Sequence, residues 1–178
     1  MTPDQAVTEL TSVRRRLLAE LEGFDDERFA RVPPRGSWSA GHVAEHLVRV
    51  ESRIARGARV VLEKGSPVRP GPFDWLRKLP LELGLADLVR IRTVPGADPA
   101  KDGPEPLPRA QMLERLAATR AESVAFLESV RGRELSRTWL RHPFFGAFSI
   151  PDMFGWVAWH EERHRRQVTR LRRALGLR

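Results

Sequence analysis

Two histidines one helical turn apart, His160 and His164, stand in the segment Trp159-His160-Glu161-Glu162-Arg163-His164. Residues at i and i+4 share one face of an α-helix, so both imidazoles can reach one metal ion. A third histidine, His46, lies in a separate amphipathic stretch far upstream. If the two helices pack together, His46, His160 and His164 form a three-histidine site with an open coordination position. That geometry belongs to a metal that does chemistry, whereas structural sites are closed. An isolated pair at this spacing is as often a surface or core feature. What favours a site is that all three histidines lie within long helices, on or beside apolar stripes. His42 and His46 also stand at i and i+4, so a four-histidine site is the alternative. His42 falls in the first turn of its helix, near the solvent end, which argues against it. His142, before Pro143 in a loop, reads as a turn residue.

The string His160-Glu161-Glu162-Arg163-His164 also satisfies the H-E-x-x-H pattern of zinc proteases, with Glu161 as general base. Three features speak against that reading. The motif lies close to Arg178, so no downstream third ligand is expected. No sheet is expected that could bind an extended peptide. The pattern also arises easily by chance in an Arg/Glu-rich helix.

A divalent ion with an open position can hold a thiol as thiolate at neutral pH, or acidify a bound water and act hydrolytically. The chain has no cysteine, so a thiol would have to come from a low-molecular-weight cofactor. Imidazole ligands suit zinc, nickel and iron alike. Gln167 lies three residues after His164 and seven after His160, on the same face, and is a candidate hydrogen-bonding partner of the site. Arg120 and Glu51 are candidates for orienting a ligand or for pairing with each other across helices. An arginine near the pocket suits the carboxylates of a thiol cofactor. The competing class is a non-catalytic bundle that binds a ligand or partner.

Four long helices position these residues. The first is expected from Pro3 to Glu22, with Thr2 as N-cap, Gln5 completing a capping box and Gly23 ending it. Val7, Leu10, Val13, Leu17, Leu18 and Leu21 form its stripe. The second runs from Ala40 to Lys64, capped by Ser39, with Trp38 able to staple onto Val43. His46 borders its stripe beside Leu47 and Val50. The third runs from Arg109 to Val130. The fourth runs from Ile150 to Leu175, with Ser149 and Asp152 as a capping box. Between the second and third, residues 65–108 form a long Pro/Gly-rich insertion, with short helices expected between Phe73 and Val89. Such an insertion is expected to cover or border the site and to be mobile. Strand signals are absent. The sum is an all-α, up-down four-helix bundle forming one domain over residues 1–178.

Lysine plus arginine exceed aspartate plus glutamate by 31 to 23, a net charge of +8, and the only lysines are Lys64, Lys78 and Lys101. The densest arginine cluster, from Arg163 to Arg173, lies in the last turns of the fourth helix, where it also complements the helix dipole. No stacking aromatics interleave with it, so nucleic acid is not the expected partner. Neither a signal peptide nor an apolar run of about 20 residues is seen, and a cytoplasmic location with no membrane span is expected.

The segment Gly36-Ser37-Trp38-Ser39-Ala40-Gly41-His42-Val43-Ala44-Glu45-His46-Leu47 resembles the W-S-x-x-E-x-x-x-H-L entry to the second helix of DinB-like proteins, also called DinB/YfiT-like metalloenzymes. His142-Pro143-Phe144-Phe145-Gly146, followed by His160, His164 and Gln167, resembles the family's ending, and Arg120 matches a commonly seen arginine. His42 departs from the pattern, where the family usually has an acidic or polar residue. The resemblance implies a four-helix bundle, often a homodimer, with zinc, nickel or iron(II) on His46, His160 and His164. It implies a small-molecule substrate. Relatives include S-transferases and isomerases that use bacillithiol, mycothiol or glutathione, which would make the chain a metal-dependent thiol S-transferase. A metal-dependent hydrolase is the alternative.

Overall fold

The structure, a computed structural model, describes residues 1–33, 38–74, 76–77, 98–102, 106–135 and 137–177. Helix α1 spans Pro3–Glu22. Thr2 Oγ1 accepts from the Gln5 amide and Gln5 Oε1 accepts from the Thr2 amide, so two orphan donors of the first turn are satisfied reciprocally. Its buried residues Ala6, Leu10, Val13, Leu17 and Leu21 recur at steps of three and four. A short helix, α2 (Asp26–Ala30), follows, capped by the Asp25 carboxylate on the Arg28 amide. Then come α3 (Ala40–Lys64), α4 (Pro99–Asp102), α5 (Arg109–Ser129) and α6 (Ile150–Ala174). Neither α2 nor α4 was expected; at five and four residues they are too short to carry a periodic stripe. Residues 74, 76 and 77 are helical, and the remainder of the short helices expected between Phe73 and Val89 lies outside the described residues.

The expectation of no strands is corrected. Strands β1 (Trp139–His142) and β2 (Gly146–Ser149) pair antiparallel, with Trp139 opposite Ser149 and His142 opposite Gly146. At four residues each they are too short for alternation to register, and three successive positions of β2 are buried. Gly146 closes the turn at φ +80°, and a Cβ there would stand 2.7 Å from the Asp74 carboxylate, which also accepts from the Ala147 amide.

The four-helix bundle is present, and contacts between elements place α1, α6, α3 and α5 in that order around it. Side-chain pairs give the directions. Arg14 meets Glu161 and Glu20 meets Arg172, so α1 and α6 run parallel. Glu45 meets Arg115 and Glu51 meets Arg120, so α3 and α5 run parallel. Asp4 meets Arg131 while Arg14 meets Leu116, so α1 and α5 are antiparallel. The chain therefore goes up, down, down, up.

Two parallel neighbours, α3 and α5, require a connection that travels the length of the bundle. The described parts of residues 65–108 mark its two ends. Near its start Ser66 bonds the Trp139 carbonyl, at the hairpin end, and near its end Asp98 bonds Trp38, at the opposite end. A 25-residue helix is roughly 37 Å long, so this connection cannot be short.

The apolar interior falls into two clusters. One is built around Leu10, Phe126, Ile150 and Phe154, and the other around Leu17, Leu47, Leu116 and Val168. Between them in sequence, each long helix contributes one member of a buried charged cluster: Arg14, Glu51, Arg120 and Glu161.

Candidate metal centre

Helix α3 starts at Ser39, whose hydroxyl accepts from the His42 amide, while His42 Nδ1 accepts from the Ser39 amide. His42 thus takes the place of Glu or Gln at the third position of a capping box. This accounts for its departure from the family pattern: an acceptor is needed there and imidazole supplies one. His42 does not join the histidine cluster. Gly41 beside it is set by close packing, because an added Cβ would meet Pro106 at 2.8 Å and Phe29 at 3.1 Å.

One turn further on, His46 is buried and faces α6. His46, His160 and His164 each offer a ring nitrogen, and these nitrogens all lie within 4.8 Å of one another. His46 Nε2 and His160 Nε2 are 3.3 Å apart. Two nitrogens at 2.0–2.1 Å on a tetrahedral ion stand about 3.3–3.4 Å apart, so this pair already has the spacing of two ligands. The sequence placed these three histidines together, and the structure brings all three together.

The rings are held in order by their neighbours. His164 Nδ1 lies 3.0 Å from Gln167 Oε1, so Nδ1 carries the proton and Nε2 keeps its lone pair. Burial, together with the nearby His46, pushes His164 down to about 3 from its ordinary 6.5, against the opposing hydrogen bond to Gln167. Burial pushes His160 well below 6.5, and the other imidazoles act in the same direction. Both are therefore neutral at pH 7, the form that ligates metals. Three converging neutral imidazoles are a donor set that fits a divalent ion of the zinc, nickel or iron type.

Two tryptophans wall the cluster. Trp38, expected as a staple, lies against His46 and His164, with ring centroids 4.8 and 5.9 Å apart. Trp156, one turn before His160, stacks on that ring at 4.8 Å. Trp38 Nε1 donates to Asp98 at 3.1 Å, so the described end of the 65–108 connection borders the centre. The indole walls were not anticipated; the signal available was Trp156 at i−4 from His160. His142, expected in a loop, is instead the last residue of β1, from which its ring caps the turn that follows. Its Nδ1 accepts from the amides of Phe144 and Phe145, and burial lowers its pKa to about 4.

Glu161, general base in the protease reading, is 1% exposed and accepts from Arg14 Nε at 2.8 Å and from Arg120. Glu51 accepts from Arg14 at 2.8 Å and from Arg120 Nε at 2.9 Å. Of the two roles considered for Arg120 and Glu51, the structure has the pairing across helices. Burial would lower the pKa of Arg14, but hydrogen bonds and charge from Glu161 and Glu51 outweigh this and raise it. Arg14 was missed, although its signal was present: a charge on the apolar stripe between Leu10 and Leu17.

Residues 9–168 match the sequence profile of the DinB superfamily. The chain belongs to the DinB superfamily. Within curated proteins, it is similar to the uncharacterized protein YuaE of Bacillus subtilis (strain 168), at 26% identity over 154 residues covering 86% of this chain and 88% of YuaE. Among solved structures, it resembles YfiT from Bacillus subtilis with a TM-score of 0.67 and 17% identity, over 99% of this chain and 89% of that one. YfiT is described as a probable metal-dependent hydrolase with an unusual four-helix bundle topology. At that identity the likeness supports the DinB fold of this chain. No helix of the described residues is long and apolar enough to cross a membrane.

Proposed function

We propose that this DinB-superfamily chain is a metal-dependent enzyme that hydrolyses a small-molecule substrate at a centre formed by His46, His160 and His164. The observation that carries the reading is the convergence of three imidazole nitrogens, with His46 Nε2 and His160 Nε2 already 3.3 Å apart. The description of YfiT as a hydrolase supports the reaction class. When bound, a divalent ion there supplies a Lewis acid with one exchangeable position. Gln167 holds the His164 ring in the ligating tautomer. Trp38 and Trp156 shield the centre and leave it an aromatic wall against which an apolar substrate group can rest.

A second reading, transfer of a low-molecular-weight thiol such as bacillithiol, mycothiol or glutathione, is favoured by a specific observation. Glu51 and Glu161 are both consumed by arginines inside the bundle, and Glu45 is paired with Arg49 and Arg115. No side-chain base from these carboxylates is free for the centre. A thiol that a bound ion would ionise, its proton passing to solvent, needs none, and this chain has no cysteine to compete with it.

Elemental analysis of the purified protein, followed by ester, amide and thiol-plus-electrophile assays, tests the proposal. About one divalent ion per chain is expected, lost in His160→Ala together with activity. Activity only with added thiol replaces hydrolysis by transfer. A protein that takes up no divalent ion at micromolar concentration removes both readings.

A further inference from the structure

The buried charges of Arg14, Glu51, Arg120 and Glu161 form one network of ion pairs across all four long helices. Arg14 and Arg120 each bond both Glu51 and Glu161. Each guanidinium also donates to a backbone carbonyl of the opposite arginine's helix: Arg14 to Leu116 and Arg120 to Leu10. The two carboxylates come from α3 and α6, the same two helices that carry the histidines. Glu161 is the residue after His160, and Glu51 stands five residues after His46. The two arginines come from α1 and α5, which carry none of the three.

Resting on the metal-centre reading above, we propose that the Arg14–Glu51–Arg120–Glu161 cluster is a positioning device: it locks the axial register of α3 against α6 and so sets the spacing of His46 from His160 and His164. A slip of either helix by one turn would carry a carboxylate out of reach of both forks and into one of the apolar clusters on either side. Leucine and alanine contacts alone discriminate poorly between registers, whereas a buried polar group specifies one. An open three-ligand site needs this more than a closed one does. In the metal-free protein no coordination bond ties α3 to α6, so the packing of the bundle must set the spacing.

The chain has no cysteine, so two spin labels can be placed at will: Arg53→Cys on α3 and Arg170→Cys on α6, both exposed. Their distance distribution reads the helix register in metal-free protein, while cobalt(II) titration reads the ligand geometry. The first variant replaces the whole cluster by apolar residues of similar volume: Arg14→Met, Glu51→Leu, Arg120→Met and Glu161→Leu together. Such replacements commonly preserve folding. The expected result is retained helicity, a broadened or shifted distance distribution, and cobalt affinity weakened about 10–100-fold, the range found when groups that orient metal ligands are lost. The second variant, Arg120→Lys, keeps the charge but loses the fork, and is expected to shift both readouts less. If the fourfold variant does not fold, Arg120→Lys decides. Wild-type distances and affinity in a folded variant overturn the proposal. If the wild-type chain binds no cobalt, the metal reading fails by itself, and the distance measurement still decides the register.

Discussion

At the scale of single residues, the centre depends on which nitrogen of each imidazole carries its proton. Gln167 makes that choice for His164. Gln167→Ala should leave the fold intact and weaken divalent-metal binding by about 10–100-fold, measured by competition with a chromophoric chelator. His142, outside the three-histidine cluster, gives a pH dependence of its own. Its folded pKa, about 4, lies below the unfolded value of 6.5, so the unfolded chain binds more protons between these values. Its contribution is therefore fully present above about pH 6.5 and is lost as pH falls toward 4, by roughly 3 kcal/mol. Chelator-treated His142→Asn should show a shallower loss of stability than wild type over that window, by urea denaturation at fixed pH. Equal slopes would remove His142 as the source.

At the scale of elements, the sequence declares most of what carries the site. Both ends of α1 and the start of α3 follow from Thr2, Gly23 and Ser39, and the observed ends coincide with them. The three histidines could be grouped before any coordinates because i,i+4 spacing and an apolar border are local signals. What was not legible is non-local. Arg14 and Glu161 are 147 residues apart, and nothing in either segment names its partner. Trp38 had a local explanation as a staple, which hid its place over His46 and His164. The directions of α3 and α5 depend on where residues 65–108 travel, which composition does not encode. His42 shows how a departure from a pattern becomes intelligible once its bonds are seen. Its replacement by alanine should cost α3 roughly 0.3–1.5 kcal/mol by removing the acceptor for the Ser39 amide, while the Ser39 hydroxyl still caps the helix, and leave metal stoichiometry unchanged. Thermal melting and metal analysis of His42→Ala check both halves.

At the scale of the whole molecule, two apolar clusters form the core of the bundle, and His46, His160 and His164 belong to neither. His160→Ala and chelation should each leave the far-ultraviolet circular dichroism of a helical protein in place. The buried charges behave in the opposite way. Removing one arginine leaves carboxylates buried without compensation, so Arg14→Met alone should destabilise by about 3–5 kcal/mol, far more than loss of a ligand. A urea midpoint less affected by Arg14→Met than by His160→Ala would reverse that assignment.

The indoles on either side of the histidines also make the protein an optical instrument. Trp38 and Trp156 lie 4.8 Å, centroid to centroid, from His46 and His160 respectively. At such range copper(II), nickel(II) or cobalt(II) extinguishes indole emission, while zinc does not. Titration with each ion, in wild type and in Trp38→Phe and Trp156→Phe, would then report occupancy without a substrate, a label or any knowledge of the reaction.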